Sequence, residues 1–327
     1  MDAVTEANRR AWEMASHKHV REYDDLLAQA AAGSSLNAVE RGLLAGILAD
    51  APEVVHLQSG HGLDDAALVQ AGARSVVGVD YSAVAAGAAQ RRADELGLAC
   101  QYIVSTVPGV PLEDGTADLV YTGKGALIWM PDIDVWAREA IRLLRPGGHL
   151  FVYEGHPAVP LWTWDEDGPG IRDDRSYFAR SHVNESFPGR GATEWQWTLG
   201  QIVTAVVTAG MELLSLGEYP EPFWRPGGVS AAAWDGRLPN TYSMLARRPA
   251  SPALTRGRGR PAAQLQLAGR CRPVRPEAFR VDPLSSFGYA CALSFLGGRS
   301  MVGHAALDRR IGVRVPASQP SECLAPK

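Results

Sequence analysis

Apolar residues fall into two rhythms along this chain. Over residues 3–31, Trp12, Ala15, His19, Tyr23 and Leu26 recur at spacings of three and four in a segment dominated by Ala, Glu, Arg and Leu, which predicts amphipathic helix. Gly33-Ser34-Ser35 ends it, and residues 36–49 resume the helical spacing. From residue 53 the rhythm changes to short apolar runs. EVVHLQ (53–58), SVVGVD (75–80), CQYIVST (100–106), ADLVYT (117–122) and HLFVYEG (149–155) predict strands. Between them, residues 64–72, 83–96 and 133–144 predict helices, the last closed by Arg-Pro-Gly-Gly. Strands alternating with helices imply a mostly parallel sheet covered on both faces. Residues 157–195 lose periodicity and are rich in Trp, Asp and Gly, as an inserted loop or cap would be. A helix over 199–209 restores order. Strands at 213–219 and 241–248, with no long helix between them, predict an antiparallel edge.

Charge divides the chain. Residues 1–246 carry a net charge of −14 and residues 247–327 a net of +10, which places a boundary near 247. The acidic body argues against a nucleic-acid partner and suits a small neutral or cationic substrate. The basic segment 249–327 is interrupted by Pro249, Pro252, Pro261, Pro273, Pro276 and Pro283, so a disordered tail is expected, with a nucleic-acid-binding tail as the alternative. No apolar stretch approaches membrane-span length and the N-terminus lacks a signal-peptide core, so a cytoplasmic protein is expected. The four cysteines show no metal-ligand spacing. His17 and His19 stand two apart on a predicted helix and share no face, so no metal is expected. A homo-oligomer is left open.

The first strand runs into Gln58-Ser59-Gly60-His61-Gly62, and the second ends in Asp80, 18 positions beyond Gly62. Glycines after a first parallel strand admit a nucleotide-like ligand to the backbone, and an acid about 20 residues on reaches ribose hydroxyls. The alternative is a tight turn beside a solvated Asp. A dinucleotide would want a third glycine and a helix start free for pyrophosphate. Here Asp64 and Asp65 occupy that start, which disfavours NAD, although Asp also caps helices well.

The stretch VVHLQSGHGLDDAALVQAGARSVVGVDYS resembles the first two motifs of class I S-adenosylmethionine-dependent methyltransferases. PLEDGTADLVYTGKGALIWMPDI, LLRPGGHLFVYEGHP and RLPNTYSMLARR follow in the family's order, and the likeness spans about residues 5–248. Its HLQ…GLD loop (56–64) is especially similar to an actinobacterial branch acting on small natural products, including antibiotic biosynthesis. The resemblance implies a Rossmann-like α/β fold with a mostly parallel sheet and an antiparallel last strand. It implies a helical lid over residues 1–35, the methyltransferase domain over 36–248 and a cap at about 157–198. The implied cofactor is S-adenosyl-L-methionine. Gln58, Ser59 and Gly60 would line its methionine end, Asp80 its ribose, and Tyr81, Thr106 and Val107 its adenine. Thr122 and Gly123 would face its amino acid, and Trp12 would close over it or simply pack the lid. The chain departs from the family at three places: His56 stands for the usual acid, Gln58 for the first glycine, and Thr106 for the third-strand acid.

Methyl transfer needs an in-line nucleophile and, where that nucleophile is protonated, a proton acceptor. Glu154 and His156 stand two apart at the end of the fifth strand, on one side of it. One of them is a candidate general base, His156 favoured by its ordinary pKa, and a hydrogen-bonded structural pair is the alternative. Lys124, one of three lysines, follows the fourth strand and is a candidate substrate contact or a solvated loop residue. Tyr23, Trp164 and Tyr177 are candidate substrate contacts in an aromatic-rich lid and cap, where packing is the alternative. The expected function is O- or N-methylation of a small natural-product acceptor. A non-catalytic S-adenosylmethionine-binding protein and, more distantly, an NAD-dependent oxidoreductase are the competing readings.

Overall fold

The computed structural model describes residues 2–163, 170–185, 187, 191–223 and 236–250. Trp164 and residues 251–327, and with them the expected disorder of the tail, lie outside the described residues. Helices α1 (Ala3–Arg21), α2 (Tyr23–Ala32) and α3 (Ala38–Ala49) open the chain. Then come β1 (Glu53–Leu57), α4 (Leu63–Gln70), β2 (Ser75–Asp80), α5 (Ala83–Glu95), β3 (Cys100–Val104), β4 (Ala117–Gly123), α6 (Ile133–Leu143) and β5 (Leu144–Gly155). The cap holds β6 (Ser181–Asn184) and β7 (Ala192–Trp195), and α7 (Leu199–Thr208), β8 (Glu212–Tyr219) and β9 (Thr241–Arg247) complete the fold.

Side chains at the helix starts fix these boundaries. Asp2 accepts from the Val4 and Thr5 N–H groups at 2.9 Å each, and Asn37 with Glu40, and Thr198 with Gln201, form reciprocal capping boxes. Gly33 ends α2 at φ +60°, a left-handed conformation that favours glycine.

The sheet runs β3-β2-β1-β4-β5-β9-β8. β1 to β5 pair in parallel, and β9 lies antiparallel between β5 and β8. The expected mostly parallel sheet with an antiparallel last strand is therefore present. The last strand inserts beside β5 and leaves β8 at the edge. Side chains alternate across the sheet: Leu150 and Val152 join Val55, Trp136 and Val206 on one face, while Phe151 and Tyr153 join Val54, Leu44 and Leu68 on the other. Each such large apolar chain contributes roughly 1.5–3 kcal/mol on burial. This double covering holds the C-terminal ends of β1, β2, β4 and β5 at one rim, where ligands gather in open α/β sheets.

The cap departs from the aperiodic loop expected. Ser181–Asn184 and Ala192–Trp195 pair as an antiparallel hairpin, with His182 opposite Glu194. Its outer edge is held by α1: Asn8 donates to the Thr193 carbonyl at 2.8 Å and accepts the Thr193 N–H at 2.9 Å. Among the described residues no helix is long and apolar enough to cross a membrane.

Candidate active site

Beyond β1 the chain turns through Gln58 (φ +58°), Gly60 (φ +58°) and Gly62 (φ +77°). A left-handed glutamine is costly for the backbone, and its side chain is correspondingly tied down. Gln58 Nε2 donates to the Ala126 carbonyl at 2.9 Å. The buried Thr122 hydroxyl donates to the Leu57 carbonyl at 3.0 Å and lies 3.4 Å from Gln58 Oε1. Together they stitch the ends of β1 and β4. A Cβ placed on Gly60 would meet nothing within 4 Å, so its backbone faces open space. On Gly123 a Cβ would lie 2.4 Å from the Tyr153 carbonyl oxygen, so glycine there permits the close pairing of β4 and β5.

Asp80 ends β2 beside that open space. Its Oδ2 accepts the Gly60 N–H at 3.0 Å and its Oδ1 the Ser82 N–H at 2.8 Å. Burial pushes its pKa up to about 6, against the pull of those two backbone donors. Each oxygen keeps a lone pair for a diol. Arg9 and Glu13 of α1 come near enough to Tyr81 and Asp80 to bias their ionisation. Trp12 packs edge-on to Trp129 at 5.7 Å and to Phe187 at 5.5 Å, joining α1, the segment after β4 and the segment between β6 and β7. The Trp12 indole N–H and the Tyr81 hydroxyl are buried without a hydrogen-bond partner among the described residues, as groups awaiting a ligand would be. Ser59 is less well placed: its Oγ would lie 2.7 Å from a Cβ on Gly78, so it points under the loop. Thr106 and Val107 follow β3, whose exit is pinned by the Ser105 N–H on the Asp80 carbonyl at 2.9 Å.

One of the departures from the usual motif meets a carboxylate of α4. His56 Nδ1 lies 2.5 Å from Asp65 Oδ1, both side chains essentially sealed from solvent. The carboxylate absent from β1 is supplied from α4. Neither Asp64 nor Asp65 caps α4, whose N-cap is Gly62.

A cavity of about 530 Å³ opens beside the ends of β4 and β5. Its floor is Gly125, Leu127, Glu154 and His156, and the cap supplies Trp195 and Trp197. Glu154 is buried, and both its oxygens accept: Oε2 from the Gly125 N–H at 2.6 Å, Oε1 from Ala126 at 2.7 Å and Leu127 at 2.9 Å. Burial lifts its pKa above the usual carboxylate range while these donors hold the lift in check. The structure thus makes Glu154 the anchor of the β4 loop instead of a free base. His156 is also engaged at both ring nitrogens. Nδ1 accepts the Ala158 N–H at 3.1 Å and Nε2 lies 2.9 Å from Glu218 Oε1. Burial depresses its pKa, and Glu218 offsets part of that. With Nδ1 accepting, the ring proton sits on Nε2 and no lone pair remains to take another. Both members of the pair are thus engaged by protein groups.

Residues 55–152 match the family described as methyltransferase domain. Over these residues the chain is similar to methyltransferase domains. Solved structures agree on the fold. An S-adenosylmethionine-dependent methyltransferase from Mesorhizobium loti is 20% identical with TM-score 0.52, covering 65% of this chain and 99% of that one. A second such protein from Listeria monocytogenes is 18% identical with TM-score 0.50, covering 61% and 91%. No curated protein matches the chain.

Within the methyltransferase fold, two expected substrate contacts fall elsewhere. Tyr23 lies against α5, its hydroxyl donating to Glu95 Oε2 at 2.9 Å and its ring under Arg91 and Arg92 at 5.9 and 5.7 Å. Lys124 turns away from the cavity. Its Nζ reaches Asp64 Oδ1 at 2.5 Å, the Ser35 carbonyl at 2.9 Å and Glu40 Oε2 at 3.3 Å. Glu40 in turn accepts from the buried Tyr121 hydroxyl. Lys124 is neither solvated nor substrate-facing; it fastens α3, α4 and the α2–α3 linker to the end of β4. Tyr177 accepts the first N–H of α7, from Leu199, at 3.2 Å. Sequence reasoning missed His182, Glu194 and Tyr242, all of which line the cavity. The Tyr242 hydroxyl is buried without a partner among the described residues. The signal for the first two was present: alternating SHVN and ATEW flank Phe187-Pro188-Gly189-Arg190-Gly191, a turn composition.

Proposed function

We propose that this chain transfers the methyl group of S-adenosylmethionine to an oxygen or nitrogen of a small natural-product acceptor seated in the cavity. The observation that carries this reading is the cavity itself. Its volume lies within the roughly 300–1,000 Å³ of small-ligand sites, it borders the ends of β4 and β5, and the cap closes its far side. The cofactor supplies an electrophilic methyl on a cationic sulfur. Asp80 would accept from its ribose hydroxyls, and Tyr81, Thr106 and Val107 would border its adenine. Gln58, Gly60, Thr122 and Gly123 would shape the pocket for its amino-acid end. Trp12, joined to Trp129 and Phe187, would exclude water from the reacting centre.

The test pairs calorimetry with turnover. S-adenosylhomocysteine should bind, and hydroxyl- and amine-bearing small aromatics should be methylated while oligonucleotides are not. Binding of S-adenosylhomocysteine without methylation of any small molecule would overturn the acceptor assignment and favour the non-catalytic reading.

A further inference from the structure

The cap hairpin carries a second histidine–carboxylate pair, and unlike His156 it has a ring nitrogen to spare. His182 Nε2 lies 2.7 Å from Glu194 Oε2, and Asn184 Nδ2 donates to Glu194 Oε1 at 2.7 Å. Both side chains are mostly buried, at 12% and 14% exposure, and both line the cavity. Burial alone would raise the Glu194 pKa, but the hydrogen bonds from His182 and Asn184 and the nearby charge of Arg175 bring it below the ordinary value. An ionised Glu194 requires the His182 proton on Nε2, which leaves Nδ1 with its lone pair. His182 Nδ1 has no hydrogen-bond partner among the described residues. A ring oriented by a carboxylate through one nitrogen and open at the other is the geometry of a general base.

We propose that His182 is the proton acceptor of this methyltransferase, that Glu194 is its positioning residue, and that the acceptor is a flat molecule bearing a phenolic hydroxyl. This rests on the small-molecule reading above. The walls favour an aromatic acceptor: Trp195, Trp197, Leu127, Pro160 and Phe223 present apolar surface around the dyad. In the step, the phenolic oxygen forms a bond to the methyl carbon as the carbon–sulfur bond breaks. Sulfur keeps that electron pair, and the phenolic proton passes to His182 Nδ1. Glu194 stabilises the resulting imidazolium. The charged groups facing the dyad are Arg172, Asp174 and Arg175 from the cap loop, Glu185 from the hairpin, and Glu154 and His156 from the sheet. Asp174 pairs with both arginines, at 2.7 Å each, so His182 answers chiefly to Glu194.

The experiment uses the full chain, S-adenosylmethionine and a panel of substituted phenols of graded acidity. His182→Ala should lower kcat by about 10²–10⁴-fold on the least acidic phenols and progressively less on acidic ones, which need no base. S-adenosylhomocysteine affinity should stay unchanged. Glu194→Gln should move the acid limb of the kcat/KM profile to lower pH, because the imidazolium loses its counter-charge; a merely structural role would leave the profile in place. Nitrogen NMR of the histidine rings gives a readout without turnover: near pH 8, His182 should show a protonated Nε2 and a bare Nδ1. The reverse tautomer, an unchanged kcat in His182→Ala, or a wild-type chain that binds S-adenosylhomocysteine but methylates no phenol would each overturn the proposal. Absence of S-adenosylhomocysteine binding would instead sink the functional reading beneath it.

Discussion

His56–Asp65 and His182–Glu194 are nearly the same bond in different surroundings. The first joins β1 to α4 at 2.5 Å, with the imidazole edge-on to Tyr121 at 4.7 Å and no solvent beside it. The second joins the two strands of the cap at 2.7 Å, in the wall of a cavity. A sealed pair cannot exchange protons with a ligand, and losing either member strands the other in a low dielectric. A pair in a cavity wall is replaceable in the folding balance and free to exchange protons. What separates structure from chemistry here is access to the second nitrogen, not the residues themselves.

Breaking the two pairs should therefore give unequal costs. Asp65→Ala should destabilise the fold by about 3–5 kcal/mol, read as a fall in the urea midpoint, because buried His56 loses the carboxylate bonded to its Nδ1. Glu194→Gln should cost no more than about 1 kcal/mol, since both residues retain access to water. Equal losses would erase the distinction.

The nucleoside end gives a smaller effect with a pH signature. Asp80→Ala should weaken S-adenosylhomocysteine binding by roughly 1–3 kcal/mol, through ribose hydroxyls left without a charged acceptor. The folded pKa of Asp80 is raised to about 6, so the diol-binding carboxylate prevails above that pH in the free protein and is lost as pH falls through 6. Wild-type affinity should then decline between about pH 7 and 5, and the Asp80→Ala variant should show no such decline; calorimetry across that range decides it. Linkage runs the other way for stability. The Asp80 contribution is present below its unfolded value of 3.8 and is lost as pH rises through 6.

The smallest effect expected is at the residue the sequence favoured. His156→Ala should reduce turnover by less than about tenfold, against the larger loss at His182, because its two nitrogens already serve Ala158 and Glu218. A greater loss at His156 with cofactor affinity intact would exchange the roles of the two histidines.

These contrasts also explain what could be read in advance. The order of strands and helices, the glycine turn and Asp80 were legible because each is written in a local rhythm or a short spacing. Lys124 and Tyr23 were not, because their partners lie 60 and 72 residues away, and only the folded sheet brings Asp64 and Glu95 to them. Glu154 sat where expected, but its saturation depends on three backbone N–H groups of another loop, which no side-chain pattern reports. His182 and Glu194 were hidden by cross-strand pairing in a hairpin whose apolar alternation is weak.

The clasp of Asn8 on Thr193 spans 185 residues of sequence with two hydrogen bonds, to the N–H and the C=O of one residue. An asparagine amide there imitates a missing neighbouring strand, offering one donor and one acceptor to the edge of β7. Helix α1 and the hairpin are consequently one mechanical unit: a movement of the β7 edge must carry the first helix with it, or break both bonds.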